Sequence, residues 1–371
     1  MTEDQQSPFT ESYEERRARV LALEPFVPPT ADKPLLLCFN ENPFGMSRRA
    51  REAVQAVTKR ASRYTFVRTG ELRRACGEFM GATEKNILMT FGSAEAIRAS
   101  IEAYLCEGVQ VVVPELSYAD GESAAVRNGL VPVKVPMGEN WSVDLAAMCR
   151  AVEQHEGPSV VYLANPSNPT STITDSAALN DWIASKPRDV FFVIDEAYAE
   201  FVDDPAFVSA KTLVDQGLEN VAVMKTFSKI FGLAGLRIGF AYAAPAVIER
   251  IRRRVAYDAI MSAPGVEAAL AELPDQDFFA VSREENRAAR RVLTDCLDEL
   301  HLPYLPSQTN FVFVHLKTGL EEFTRSMEQA HVLVGRAFPP ALEWCRISVG
   351  TREEMAFFAD LLRQFRAQGK V

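Results

Sequence analysis

The chain has 371 residues, 47% of them hydrophobic and 24% charged, and a net charge of −10 at neutral pH. That length allows two domains, and that balance fills a large soluble core. The acidic charge argues against a general nucleic-acid binder, since a phosphate backbone needs a basic face; no apolar run reaches the roughly 18 residues of a membrane span.

The stretch Met1 to Thr10 is polar and acidic, without the apolar centre of a signal peptide. Residues 11–24 carry a charged helical pattern, broken by Pro25-Phe26-Val27-Pro28-Pro29. From about residue 45, strand and helix patterns alternate. Residues 86–91 read as a short strand and 93–105 as the helix after it. Apolar runs follow at 109–113, 160–164, 190–194, 221–224 and 238–243. They are nearly continuous, as in strands buried on both faces of a parallel sheet, and helical segments lie between most of them. The class is therefore α/β, with a mostly parallel central sheet flanked by helices. Arg252-Arg253-Arg254 reads as a solvated helix face. After about Pro264 the pattern changes to a charged helix (275–300) and strands at 310–315 and 344–349. Residues 45–264 are thus expected to form a large domain, and 1–44 with 265–371 an N-terminal arm and smaller α/β domain.

The six cysteines (Cys38, Cys76, Cys106, Cys149, Cys296, Cys345) have no close pairs and read as free thiols of a reducing cytoplasm. The four histidines stand apart and match no metal-ligand spacing, so no metal is expected.

The polar residues at the strand ends carry the chemistry, because open parallel sheets bind ligands beyond their carboxyl ends. Gly92-Ser93 opens a helix with free N–H groups. Tyr118 follows the second strand, Asn165-Pro166-Ser167-Asn168-Pro169-Thr170 the third, and Asp195-Glu196-Ala197-Tyr198 ends the fourth. Ser228-Lys229 follows the fifth, with Arg237 eight residues on. A lysine amine condenses with an aldehyde, and an arginine fork holds a phosphate. Pyridoxal 5'-phosphate is an aldehyde that carries a phosphate, and it needs both groups. Asp195 can keep its ring nitrogen protonated, Asn168 and Tyr198 can bond its hydroxyl, and Tyr118 can stack on it. Ser93, Ser228, Arg237 and helix amides can bind its phosphate.

With these motifs the chain resembles a fold-type I pyridoxal-phosphate aminotransferase of the histidinol-phosphate aminotransferase-like branch. The resemblance also rests on Asn40-Glu41-Asn42-Pro43-Phe44-Gly45, Thr309-Asn310-Phe311 and Cys345-Arg346-Ile347-Ser348-Val349-Gly350-Thr351. It implies that Lys229 carries the cofactor and moves the proton at the substrate's Cα, with Asp195 and Tyr198 assisting. It implies phosphate binding by the backbone of Ala94 and Glu95 beside Ser228 and Arg237. Substrate contacts are implied for Arg346, Arg336, Phe26 and Asn42. Tyr64 is implied to serve a neighbouring subunit's cofactor in a homodimer with shared sites.

Four departures stand out. Phe26 replaces a tyrosine whose hydroxyl helps bind a substrate phosphate, which favours a carboxylate-bearing substrate. Ile230 follows the lysine where a small residue is usual and is expected to crowd the site. Ser171 replaces a glycine, and the loop between Arg336 and Arg346 is short. The expected activity is transamination between an amino donor and a keto acceptor. The alternative is a pyridoxal-phosphate lyase, decarboxylase or cyclase acting on a modified amino acid. A cofactor-sensing DNA-binding regulator is disfavoured, because only about 40 residues precede the fold.

Overall fold

The computed structural model describes residues 11–185 and 189–371; the stretch Met1 to Thr10 lies outside the described residues. Among the described residues eleven strands run in chain order: β1 (Leu35–Leu37), β2 (Ile87–Thr90), β3 (Gln110–Pro114), β4 (Val133–Val135), β5 (Ser159–Ala164), β6 (Val190–Asp195), β7 (Val221–Thr226), β8 (Gly239–Ala243), β9 (Phe311–His315), β10 (Val332–Val334) and β11 (Trp344–Ser348).

Seven of them form one sheet in the order β2-β8-β7-β6-β5-β3-β4. Pairing is parallel from β7 through β4, while β8 runs antiparallel to both β7 and β2. The strand side chains alternate between the two sides of this sheet, which together make its core, as the period of two requires. Val161, Leu163, Phe192, Ile194 and Val223 face one. Val160, Tyr162, Phe191, Val193 and Met224 face the other. Helices cover both faces, which explains the continuous apolar runs.

A second core gathers β1 with β10 in parallel and β9 with β11 antiparallel. The helices Gln276–Glu299 and Arg352–Ala367 pack on it through residues such as Leu293, Phe358 and Leu362. The arm residues Leu35 and Leu37 belong to this core, so the N-terminal segment joins the C-terminal one. The helix Ala263–Glu272 instead buries Val266, Ala268 and Ala269 against the large sheet, so that core extends past residue 264. All six cysteines of the chain are free. Among the described residues no helix is long and apolar enough to cross a membrane.

Candidate active site

The carboxyl ends of β5, β6 and β7 open into a cavity of about 440 Å³, lined also by Phe39, Asn40 and Glu41 after β1 and by Arg346 on β11. Asp195 is the last residue of β6 and only 4% exposed. Its Oδ1 accepts from the Ala197 amide at 3.1 Å and its Oδ2 from the Tyr162 hydroxyl at 3.4 Å. Burial pushes its carboxyl up to about 7, with Asp120 adding to the rise and Lys229 opposing it. Lys229 follows β7 in the cavity wall, half-buried. Its Nζ donates to the carbonyls of Asn40 (3.1 Å) and Phe39 (3.3 Å) and lies 5.4 Å from the Tyr198 ring centre. The Tyr198 hydroxyl accepts from Asn40 Nδ2 at 3.2 Å and from Asn168 Nδ2 at 3.5 Å. Tyr118 lines the same cavity, and burial raises its phenol.

At the other end lies a cradle. Gly92 caps the helix Ser93–Glu102 without any side-chain cap, so the first amides of that helix stay free for an anion. The Arg237 guanidinium crosses this end. It donates to Ser228 Oγ at 3.4 Å and to the Phe91 carbonyl at 3.2 Å. A Cβ at position 92 would stand 2.4 Å from Arg237 Nη2, and Gly92 has φ +82°, so only glycine fits. Glu95, in the first turn, accepts from the Phe91 amide at 2.8 Å, and its side chain lies outside the cavity while its backbone belongs to the helix end.

Arg346, on β11, donates from Nη1 to Asn168 Oδ1 at 2.8 Å and from Nη2 to the Cys38 carbonyl at 2.6 Å. Its Nε is buried without a partner among the described residues, and its guanidinium lies over Phe311 and Phe338.

The cavity thus gathers Ser93, Ala94, Tyr118, Asn168, Asp195, Tyr198, Ser228, Lys229, Arg237 and Arg346. Other expected residues lie elsewhere. Arg336 is exposed, donates to the Ala337 carbonyl and covers Phe338. Asn42 spends its amide on the Ile230 carbonyl at 2.8 Å. Phe26 packs on Phe357 at 5.6 Å in an adjoining groove, so the carboxylate preference drawn from its missing hydroxyl has no contact to rest on in this chain. Ile230 does not crowd the site: it is buried in the large core and lines no part of the cavity. Ser171 holds φ +64°, the conformation that makes glycine the easy choice there. Tyr64 is 82% exposed, beside Phe66.

Three participants were not anticipated. Tyr162 lies inside an apolar strand and reaches Asp195 from below. Asn40 has φ +55°; its backbone N–H donates to Ser348 Oγ and its Oδ1 accepts from that hydroxyl, both at 2.9 Å. Asn310 Nδ2 donates to the carbonyls of Asn40 and Glu41. The quoted motifs around 40 and 310 were the available signal, but contacts made through carbonyls leave no mark on side-chain identity.

A buried carboxylate without a cationic bond among the described residues, an anion cradle and an amine in one cavity fit pyridoxal 5'-phosphate: a pyridinium for Asp195, a phosphate for the cradle, an aldehyde for Lys229. They define the class as a fold-type I pyridoxal-phosphate enzyme. The family model "Aminotransferase class I and II" matches residues 32–362, and the chain belongs to that family. The histidinol-phosphate aminotransferase of Moorella thermoacetica is 32% identical over 95% of this chain and 93% of its own. A crystal structure from Erwinia carotovora atroseptica, provisionally assigned as a histidinol-phosphate aminotransferase, superposes with a TM-score of 0.92 at 45% identity, covering 94% of this chain and all of that one. The Sinorhizobium meliloti histidinol-phosphate aminotransferase, solved in complex with pyridoxal-5'-phosphate, gives a TM-score of 0.82 at 25% identity over 99% of both chains. The chain is a pyridoxal-phosphate-dependent aminotransferase of the histidinol-phosphate aminotransferase-like kind.

Proposed function

We propose that the chain transfers the amino group of a primary amine that carries an anionic group, with histidinol phosphate as the reference substrate and a keto acid as the acceptor. The observation that carries this reading is Arg346, whose guanidinium is held over two aromatic rings in the same cavity as Lys229. A fork fixed in that way matches a carboxylate or a phosphate.

When bound, pyridoxal phosphate supplies a reactive aldehyde carbon and a ring that accepts the electron pair freed at the substrate's Cα. In this reading Lys229 Nζ holds that carbon and then carries the Cα proton. Asp195 neutralises the ring cation from a buried position and is oriented by Ala197 and Tyr162. Tyr198 and Asn168 place the ring hydroxyl, Tyr118 covers the ring face, and Ser93, Ala94, Glu95, Ser228 and Arg237 hold the phosphate through side chains or helix amides. Tyr64, exposed on this chain, serves the site of a second copy.

The test is a stopped-flow screen of amines against the loaded enzyme, including histidinol phosphate and glutamate. Conversion to the aminated cofactor by an anionic amine supports transamination. Release of carbon dioxide or an eliminated fragment, with the cofactor unchanged, assigns another reaction instead.

A further inference from the structure

Five charged side chains line the cavity: Lys229, Arg237, Arg346, Asp195 and Glu41. On the reading above, on which this inference rests, four of them have their counterparts. Arg237 meets the cofactor phosphate, Asp195 its ring, Lys229 its aldehyde carbon, and Arg346 the anionic group of the substrate.

Glu41 remains. It is exposed, and its carboxylate has no hydrogen bond or ion pair among the described residues. Its backbone is fixed all the same, because Asn310 Nδ2 donates to its carbonyl at 3.1 Å. It borders both the catalytic cavity and the adjoining groove. Phe39, two residues before it, lines the cavity too, is 61% exposed, and makes no ring contact among the described residues. A free carboxylate on a held backbone and a bare aromatic ring on one wall are the two elements that recognise an N–H-bearing cation, one by charge-assisted hydrogen bonds and one by its ring face.

We infer that Glu41, with Phe39, forms a specificity subsite for a second, cationic and N–H-donating group of the amine substrate, such as an ammonium, a guanidinium or a protonated imidazole. The substrate is then anionic where it meets Arg346 and cationic where it meets Glu41.

The experiment compares lysine with norleucine, which differ by the terminal ammonium, on the pyridoxal-phosphate-loaded enzyme. Dissociation constants come from the concentration dependence of the cofactor's absorbance change. The wild type should bind lysine about tenfold tighter or more, the gain expected of a charge-assisted contact. Glu41→Gln should bring the two within about threefold of each other, since the neutral amide keeps shape but not charge. Glu41→Lys should reverse the order and favour 2-aminoadipate, whose terminal carboxylate replaces the ammonium. A wild type that binds lysine no better than norleucine overturns the subsite, and so does a preference that survives Glu41→Gln. The parent reading fails separately: borohydride reduction followed by peptide mapping would then place the cofactor on a residue other than Lys229.

Discussion

The guanidinium of Arg346 is bonded to the side-chain amide of Asn168 at 2.8 Å, which ties β11 of the second core to the loop after β5 of the large sheet. The same guanidinium holds the Cys38 carbonyl, so one side chain fixes two walls of the cavity. Arg346→Lys cannot serve both partners and an incoming anion with a single ammonium. Binding of anionic amines should weaken by roughly 10- to 100-fold, as for the loss of a charged hydrogen bond of about 1.5–3 kcal/mol. The half-reaction dissociation constant measures it, and an unchanged constant would remove Arg346 from substrate binding.

Gly92→Ala should strike the cofactor and leave the substrate end alone. The new Cβ would sit 2.4 Å from Arg237 Nη2 on a backbone at φ +82°. Displacing Arg237 should raise the pyridoxal phosphate dissociation constant by about tenfold or more. Fluorescence titration of the stripped protein reads this directly; retention of normal affinity would show that Arg237 is dispensable to the cradle.

Asp195 sets a pH dependence with a definite sign. Burial raises its carboxyl to about 7 in the folded chain without cofactor, against about 3.9 unfolded. Between those values the folded state keeps a proton that the unfolded state has lost, so this group's contribution to stability falls as pH rises from about 4 to 7. The loss is on the order of 4 kcal/mol at most. Cofactor-free Asp195→Asn should therefore lose less stability than the wild type between pH 5 and 8, as a difference in urea midpoints. Parallel curves would mean that the carboxylate is already ionised in the folded protein.

Beneath the site, Lys225 Nζ bridges Glu196 at 3.0 Å and Glu200 at 2.9 Å, all three side chains being nearly out of water. The two acids hold its ammonium well above the usual lysine range despite burial. Lys225→Met leaves two buried carboxylates without their cation, which should cost about 3–5 kcal/mol. Chemical denaturation measures it. A cost below about 1 kcal/mol would mean that water reaches the pair.

Tyr64 bears on assembly. Lys229→Ala and Tyr64→Ala proteins, each inactive, should regain activity when mixed, because one site of the mixed dimer keeps both its lysine and the borrowed tyrosine. Full activity in a monomer sedimenting alone would dismiss the shared site.

Much of this was legible in the residues. The strands of the large sheet are long and apolar enough to read, and the residues at their ends carry diagnostic side chains. β1, β4 and β10 escaped notice because three residues each are too few to show a period. The reversal of β8 escaped too, since an apolar strand buried on both faces looks the same in either direction. In the cavity, Phe39 and Asn40 bond Lys229 through carbonyls, which every residue possesses. Tyr162 hides in a strand that reads as core, and only folding reveals that its hydroxyl meets Asp195.

The cavity's two walls come from different cores. Asp195, Tyr198, Lys229 and Arg237 hang from the large sheet, and within 195–200 the site residues alternate with the buried acids that clamp Lys225. A change in that run disturbs cofactor and folding together. Phe39 and Glu41 follow β1 and Arg346 lies on β11, and none of the three takes part in the Lys225 clamp. Replacing the Phe39 or Glu41 side chain therefore leaves the Lys225 clamp untouched, whereas replacing Arg346 also releases Asn168 on the opposite wall, so the first two positions can change without cost to the cofactor's supports and the third cannot.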